Sequence, residues 1–335
     1  MNTRRTHLEV TIAGKNITED IAHLITRFSY TDNLGGSSDL AELTLADTER
    51  LFTADWFPQR GDTCDIAIVK ENFPDSGTLQ LNSFEVDEVE NSFPPNTCRL
   101  KLNSLANNAQ LRSIDQSKSW EKVTLKKIAG EIAGEAGLEL FFDSNEDPAI
   151  ERAEQKEQTK LAFLEKLCSD NGLALKVNDK KLIIFDEEKY EQQEPVTTFT
   201  YGDEKIKSFT GRATISKIYK SCHVKYQQGK KKEFIEHTYT DESKSEGMTL
   251  EINKKVESKA EAEKLAKKEL RKKNREEIKV NLEVVGSFEY LAGNVVELDD
   301  SFGFYAGNYL IEKAHHEVGS GYSCRLDLRK CLVGY

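Results

Sequence analysis

The sequence predicts a mainly β fold that is interrupted by a small α+β module. Long regions at both ends of the chain alternate apolar and polar residues with a period of two, whereas two segments in the middle are amphipathic with a helical period. A chain of 335 residues also exceeds the ~150 residues of a typical domain. We therefore divide the chain into a first β region at 1–115, an α+β insert at 116–195 and a second β region at 196–335.

The first region has the pattern of strands separated by turns. Four of its segments alternate apolar and polar residues: Leu8–Ile12, Ala41–Leu45, Cys64–Ile68 and Leu100–Ser104. Glycine and proline turn signals, such as Gly14 and Pro94-Pro95, separate these segments. Because period-2 alternation leaves one face of a sheet wet, the region is predicted to be an antiparallel sheet with one buried face.

Two helices are predicted in the insert. The first covers 124–137 and the second 159–172, and in each a threonine can cap the start and a glycine can end the helix. Both helices lead into a short apolar segment, and a compact hairpin around Asn178-Asp179 follows the second. The insert is therefore expected to be a small module of two helices and a hairpin, in which the helix stripes cover the hairpin.

Strands resume after Val196. A hairpin is predicted with arms Cys222–Tyr226 and Phe234–Tyr239 and a lysine-tipped turn at 228–230. The longest helix is predicted at 258–277, where the apolar stripe is narrow. The remaining alternating segments are predicted strands: Val295–Leu298, Tyr309–Lys313 and Tyr322–Leu328.

Composition argues against several classes of protein. Hydrophobic residues make up 38% and charged residues 31% of the chain, which is too apolar for general disorder. The longest purely apolar runs fall far short of the ~20 residues of a membrane-spanning helix, so no membrane anchor is expected. Since the N-terminus has no secretory signal and the six cysteines form no CxxC pair, we expect reduced, packed thiols in a protein made in a cytoplasm.

The net charge of −11 is unevenly distributed. Residues 1–115 carry 10 basic and 18 acidic side chains, a net of −8, whereas 254–279 carry 11 basic and 6 acidic side chains, a net of +5. The acidic majority argues against a sequence-specific nucleic-acid binder. Glutamates interleave with the lysines of the basic segment, so a solvated helix is favoured there over a nucleic-acid or partner-binding face.

Signatures of catalysis or cofactor binding are not found in the sequence. It contains no Gly-x-Ser-x-Gly pentapeptide, and Gly14-Lys15 and Gly229-Lys230 lack the upstream glycine of a phosphate-binding loop. Pairs of carboxylates such as Asp299-Asp300 are expected by chance among 58 acidic residues, so they do not indicate a glycosidase site. We therefore predict no catalytic residue, no cofactor and no metal.

Two pairs of histidines are candidate sites. His315-His316 is predicted to lie on a strand, where adjacent side chains point to opposite faces and cannot chelate one ion. We expect one of these histidines to be buried and hydrogen-bonded and the other to lie at the surface. His223 and His237 fall on the two arms of the predicted hairpin and are expected to face each other as a cross-strand pair.

The order of short phrases along the chain resembles the phage late control gene D family, the baseplate hub of contractile tails, and is similar to the N-terminal hub part of VgrG spike proteins. The matching phrases near the start are Asn16-Ile-Thr18, Gly36-Ser-Ser-Asp39, Leu43-Thr-Leu45-Ala-Asp47, Trp56-Phe-Pro58 and Gly61-Asp62. Those in the middle are the two insert helices with Gly137-Leu138 and Gly172. Those at the end are Ala292-Gly293, Gly307-Asn-Tyr309, Ala314-His315-His316 and Leu326-Asp-Leu328.

The resemblance implies two tube-like β-barrel domains, with the long helix in the second, and the α+β insert between them. It also implies a homotrimer whose six barrels match the sixfold tail tube. This trimer would join the central spike to the tube or a tube-initiator protein, and a tape-measure protein is a further candidate partner. The chain ends at Tyr335 without a triplet-repeat β-helix, so the spike is expected to be a separate chain. The hub would be made in the cytoplasm of a bacterial host and assembled into a virion tail or phage-like particle. The resemblance implies no catalytic residues in this chain.

Two other classes of function remain open at this point. One is a tail-tip cell-wall hydrolase or protease with its site among the many carboxylates. The other is a monomeric peptidoglycan-binding module, since the helices and short strands of the insert loosely resemble LysM domains.

The charge distribution suggests a role in a channel. A negative wall would repel the phosphates of passing DNA and let it slide. We predict that some of the following carboxylates face the lumen of the ring: Asp32, Asp39, Glu42, Asp47, Asp62 and Asp65. The lysines of the long helix are predicted to lie outside it: Lys264, Lys267, Lys268 and Lys272. Ordinary solubilising charge is the alternative.

Overall fold

The chain forms two compact units in a computed structural model that describes residues 3–81, 83–104, 109–112, 115–178, 180–227 and 234–332. Unit 1 contains 1–189, 283–293 and 312–326, and unit 2 contains 190–282, 294–311 and 327–335. The predicted mainly β fold with a small α+β insert is confirmed. In the described ranges, no helix is long and apolar enough to cross a bilayer.

Unit 1 begins with eight strands and one short helix, α1 at Thr18–Ile21. The strands are β1 at Arg5–Ile12, β2 at Lys15–Asn16, β3 at Ile25–Asn33, β4 at Leu40–Ala46, β5 at Thr63–Glu71, β6 at Gly77–Gln80, β7 at Phe84–Ser92 and β8 at Thr97–Asn103. They pair antiparallel in the order β3-β4-β8-β7-β5-β1-β2, and β6 pairs with β5. A 3-10 turn at Leu51–Thr53 lies between β4 and β5.

The alternation along these strands builds one hydrophobic core. In β4, for example, Ala41, Leu43 and Leu45 are buried and the residues between them are partly exposed. Residues 313–318 pair antiparallel with β3, and this brings Val318 opposite Phe28 in the same core. The core of the first β region is thus completed by C-terminal residues. The division of the chain at 115 and 195 stays a prediction.

The middle of the chain contains short helices and two small groups of strands. Its elements are α2 at Ala109–Arg112, β9 at Gln116–Thr124, α3 at Leu125–Glu135, β10 at Glu139–Asp143, β11 at Ala149–Gln158, α4 at Lys160–Asn171, β12 at Ala174–Asn178, β13 at Lys181–Phe185 and α5 at Glu187–Glu191. β9 pairs with β11, and β13 lies between β10 and β12. The turn residue Asp179 lies outside the described residues.

The two insert helices form where their caps are predicted. Thr124 accepts a hydrogen bond from the amide of Lys127 at 3.4 Å, and Thr159 accepts one from Ala162 at 3.2 Å. Gly172 ends α4 with φ +76°, a left-handed conformation that a glycine adopts without steric cost. Local capping chemistry therefore sets the start of both helices and the end of α4.

The helices bury their apolar stripes against the hairpin, as predicted. Ile132 of α3 and Leu164 of α4 share a buried cluster with Leu182 and Ile184 of β13. Leu161 and Leu167, the outer members of the α4 stripe, are only partly buried. The centre of the stripe therefore contributes most of the packing.

Replacing Ile132 or Leu164 by Ala is expected to lower the free energy of unfolding by about 2–5 kcal/mol, because both side chains are fully buried and each change leaves a cavity. Urea denaturation followed by tryptophan fluorescence measures the loss, since Trp120 lies in the same cluster. Leu161→Ala is the matched control and should cost less. A loss below about 1 kcal/mol at Ile132 would contradict this packing.

The remaining strands and the longest helix follow the insert. They are β14 at Thr197–Phe199, β15 at Ile206–Ala213, β16 at Tyr219–Gln227, β17 at Phe234–Thr240, β18 at Met248–Ile252, α6 at Lys259–Asn274, β19 at Ile278–Val285, β20 at Val295–Leu298, β21 at Gly307–Val318 and β22 at Tyr322–Lys330. A 3-10 helix covers Asp300–Tyr305. β16 pairs with β17 as the predicted hairpin and with β18 in parallel, and the turn at 228–233 lies outside the described residues.

Helix α6 is shorter than predicted. It begins after Ser258, which accepts a hydrogen bond from the Glu261 amide, and it ends at Asn274 rather than at 277. The buried Asn274 side chain accepts from the Tyr219 amide at 2.9 Å and donates to the Tyr219 carbonyl at 2.8 Å. These two hydrogen bonds join the end of the helix to β16. The buried residues Ala262, Ala266 and Leu270 complete the packing of α6 with this sheet.

Candidate functional site

His315 and His316 lie on opposite faces of β21, and the prediction that one of them is buried and hydrogen-bonded is confirmed. His316 is fully buried. Its Nε2 lies 2.9 Å from the Tyr290 carbonyl oxygen, and because a carbonyl can only accept, Nε2 is the donor. A neutral imidazole carries one proton, so Nδ1 accepts from the Tyr322 hydroxyl at 2.8 Å. His315 is half-buried and contacts the Thr31 hydroxyl at 2.8 Å. Burial lowers the pKa of His316 to about 4, so its ring is neutral at pH 7.

A cysteine next to this histidine was not found by sequence reasoning. The Sγ of Cys324 lies 3.2 Å from Nδ1 of His316, a distance at which a thiol and an imidazole could form a nucleophilic pair. Both side chains are at most 1% exposed, and the Nδ1 atom also accepts from Tyr322. A substrate cannot reach the sulfur, so the pair is a buried polar contact in the core.

The prediction that His223 and His237 face each other is wrong. His223 lies opposite Thr238, and His237 lies opposite Val224. Opposed residues share a face of an antiparallel pair and neighbours along a strand alternate, so the two imidazoles lie on opposite faces. His223 instead contacts the Thr238 hydroxyl through Nδ1 at 2.7 Å. Across the described part of the chain, no three His, Cys, Asp or Glu side chains form a group that could hold a metal ion.

A buried charge cluster occupies the end of β3 and the loop that follows it. Lys176 of β12 forms ion pairs with Asp32 and, at 3.3 Å, with Asp39. Asp39 is fully buried and also accepts from the Asn33 amide at 2.9 Å, and Asp32 accepts from the Ala292 amide at 2.9 Å. These contacts join the insert, the first β region and a C-terminal segment within unit 1.

Burial is the main influence on the acidity of this cluster. It raises the pKa of Asp39 to about 6, with a further contribution from Asp32, while Lys176 opposes the shift. Burial opposes the charge of Lys176, but the two carboxylates raise its pKa. The ammonium therefore stays charged and holds both carboxylates in place.

The other predicted lumen residues occupy different environments. Asp47 is buried and accepts from the Phe52 amide at 3.3 Å, and Glu42 forms an ion pair with Arg99 at 3.4 Å. Asp62 accepts from the Gln59 amide at 3.0 Å. Asp65 is exposed on β5. The carboxylates of Asp32, Asp39 and Asp47 are thus bonded inside unit 1, and a lumen orientation stays a prediction.

The lysines predicted to lie outside the lumen all belong to α6. Lys264 and Lys272 are exposed, and Lys267 and Lys268 are partly buried. The buried stripe of α6 packs in the core of unit 2, so these lysines lie away from that stripe. Their position relative to a channel stays a prediction.

A cleft of ≈ 400 Å³ in unit 1 is lined by residues of the 36–38 loop, α4 and β12. Its lining includes one carboxylate, Glu165, and one cation, Arg112. Burial raises the pKa of Glu165. Hydrolysis of a glycosidic bond generally uses two carboxylates that flank the bond, and the lining of this cleft supplies one. The cleft therefore offers no acid–base pair of the kind that a cell-wall glycosidase needs.

A family model described as YQBQ-like matches residues 115–329, which is more than half of the chain. The chain belongs to the YQBQ-like family. Over 175 residues this YQBQ-like chain is 24% identical to the "Probable baseplate hub protein" of Escherichia phage 186. The alignment covers 52% of the chain and 43% of that relative, so the chain spans less than half of the relative's length.

Solved structures share the fold over nearly the whole YQBQ-like chain. The 43 kDa tail protein of prophage MuSo2 from Shewanella oneidensis has a TM-score of 0.75 at 16% identity, covering 98% of this chain and 99% of its own. The E. coli c3393 protein, a type VI secretion component described as similar to T4 tail proteins gp27 and gp5, has a TM-score of 0.57 at 12% identity, covering 100% of this chain and 79% of its own. The predicted resemblance to tail and baseplate hub proteins is confirmed.

Proposed function

We propose that the protein is the structural baseplate hub of a contractile phage tail or of a phage-tail-like injection particle. In this role it is a homotrimer that joins the central spike to the tail tube or a tube-initiator protein. The match in fold to a prophage tail protein over 98% of the chain is the observation that carries the proposal. The relative named as a baseplate hub supports it.

The buried polar clusters favour a structural role over catalysis. The Cys324–His316 pair is sealed in the core, and the Lys176 cluster is held by bonds within unit 1. In both clusters the polar groups bond to one another, whereas the polar groups of a catalytic site face a substrate. Interactions with the spike, the tube and a tape-measure protein would then depend on the surface of the assembled ring.

The purified protein alone is expected to have a mass of three times 38.0 kDa, or, where it trimerises only with its spike protein, to contribute that mass to the complex. Two β regions in each of three copies would supply six units to a sixfold tube, and neighbours would cover exposed strand edges. Light scattering measures the mass, with the spike alone as the control. A chain that stays monomeric in the presence of its spike contradicts the proposed trimer.

Zymography against peptidoglycan is expected to show no clearing, because the Cys324–His316 pair and the Lys176 cluster are buried and the unit 1 cleft is lined by a single carboxylate. A refolded lysozyme lane controls for renaturation in the gel. Reproducible clearing that is abolished by a single Asp or Glu substitution, for example Glu165→Gln in the unit 1 cleft, would falsify the structural assignment and favour the hydrolase.

A further inference from the structure

A strongly basic cleft lies in unit 2, where the loop between β15 and β16 meets the end of α6. Its volume is ≈ 460 Å³. Six cationic side chains line it: Arg212, Lys217, Lys272, Lys273, Arg275 and Lys279. The only carboxylate in its lining is Glu276, which forms an ion pair with Lys279 at 2.8 Å. The lining therefore has a net charge of +5, in a chain whose net charge is −11.

Packing and helix polarity account for only part of this charge. Cations in the last turn of α6, such as Lys272 and Lys273, are stabilised by the negative end of the helix dipole. Arg212 and Lys217 belong to the neighbouring strand and loop, where no helix end favours them. Within the described residues, Arg212, Lys217 and Lys273 make no ion pair. Their charges are available to a ligand from outside the chain.

An apolar residue beside the cleft indicates that the ligand is a protein. Ile215 is 90% exposed at the tip of the β15–β16 loop. The loop is held in shape, since the Thr214 amide donates to the Glu277 carbonyl at 2.9 Å and the Ser216 amide donates to the Thr214 hydroxyl at 3.1 Å. An ordered, exposed isoleucine beside cations is typical of a protein contact, in which an apolar anchor is surrounded by charge. The lining has no aromatic ring on which a nucleotide base could stack.

A face of unit 1 carries the complementary charge. Glu9 of β1 and Asp65 of β5 are both exposed. They lie on the same face, since Glu9 pairs with Ala67 and Asp65 pairs with Thr11, so the two carboxylates are diagonal neighbours. In the part of the chain that the structure describes, neither carboxylate forms an ion pair.

The neighbouring face of β7 and β8 differs in this respect. There Arg99 pairs with Glu90 at 3.4 Å, and Lys101 pairs with Glu88 at 3.0 Å. Glu88 and Glu90 are therefore neutralised within the chain. Glu9 of β1 and Asp65 of β5 can therefore pair with cations of another molecule.

We infer that the basic cleft of one copy docks on the β1–β5 acidic face of a second copy. The two surfaces differ, so the contact is head-to-tail, which is the kind of contact that closes a cyclic ring. This inference rests on the proposed trimer and assigns its interface. Asp65 then lies in a subunit contact. This position is an alternative to the predicted position of Asp65 in the lumen of the ring.

The double variant Lys217→Glu, Lys273→Glu tests the cleft. The two changes lower the net charge of the lining from +5 to +1 and place two carboxylates opposite the acidic face. The concentration for half-assembly is therefore expected to rise by about 100-fold or more, measured by light scattering of a dilution series under the conditions in which the wild type is trimeric. Lys207→Glu is the matched control, because Lys207 is exposed on β15 and outside the cleft lining. Ile215→Ser is a second test and should weaken assembly by about tenfold.

Reciprocal reversal identifies the partner surface. Glu9→Lys with Asp65→Lys is expected to weaken assembly to the same degree. All four changes in one chain are expected to restore part of it, because the two introduced lysines then lie opposite the two introduced glutamates. Circular dichroism spectra and melting curves confirm that each variant folds. If the cleft variant assembles like the wild type, or if the quadruple variant is not rescued, the inferred interface is overturned while the hub trimer stands. A wild-type chain that never assembles with its spike overturns both.

Discussion

Replacing Glu191 by Ala is expected to lower the free energy of unfolding by about 3–5 kcal/mol, because the change leaves two buried guanidinium groups without their carboxylate. The Glu191 side chain is 2% exposed and forms ion pairs with Arg329, which is 1% exposed, and with Arg271 at 2.8 Å. Its second oxygen accepts from the Leu332 amide at 2.9 Å. One carboxylate thus joins α5, α6 and the C-terminal segment within unit 2.

Glu194→Ala is the matched control, since Glu194 lies three residues away and is exposed. Both tryptophans belong to unit 1, so far-UV circular dichroism in urea, supported by hydrogen exchange of the α6 amides, is the suitable measurement for unit 2. Glu191→Leu combined with Arg329→Met should recover part of the loss by replacing the buried pair with apolar packing. A loss for Glu191→Ala no larger than that of the control would show that the pair does not stabilise the fold.

The helices could be predicted from the sequence because their signals are local. Thr124 and Thr159 lie next to the apolar stripes that they cap, so each helix is specified within about a dozen residues. The pairing of residues 313–318 with β3 could not be predicted in this way. It joins segments almost 300 residues apart, and alternation gives the face of a strand but not its partner.

The same distinction explains which polar sites were predicted. Alternation alone separates His315 from His316, so their opposite orientations followed from the sequence. The contacts of Cys324 with His316 and of Lys176 with Asp32 depend on strand pairing and on distant segments. Aspartates such as Asp39 look like surface charge in the sequence, because the cation that neutralises them lies more than 100 residues away.

The cluster around Lys176 is expected to respond as strongly as that of Glu191. Lys176→Met should lower the free energy of unfolding by about 3–5 kcal/mol at pH 8, because Asp32 and Asp39 would remain close together and buried without a cation. Tryptophan fluorescence in urea reports this change, since both tryptophans belong to unit 1. Lys181→Met, an exposed lysine on β13, is the matched control.

The stability should also depend on pH in a direction set by Asp39. Its pKa is about 6 in the folded chain, above the value of about 4 expected when unfolded, so the folded state binds the proton more tightly. The contribution of Asp39 to stability is therefore fully present below about pH 4 and is lost as the pH rises through 6. Asp39→Asn removes this dependence, and the stability of the wild type relative to that variant should fall by about 2–3 kcal/mol between pH 4 and pH 7.

The two changes are expected to be coupled. Lys176 opposes the rise in the pKa of Asp39, so in Lys176→Met the pKa of Asp39 should rise further and the variant should recover stability, relative to wild type, as the pH is lowered from 8 to 5. Asp39→Asn added to Lys176→Met should recover part of the loss at pH 8, because one buried charge is removed. A loss that is equal at pH 5 and pH 8 in Lys176→Met, or a double variant no more stable than the single one, would mean that the lysine contributes by packing its aliphatic chain and not by neutralising the buried carboxylates.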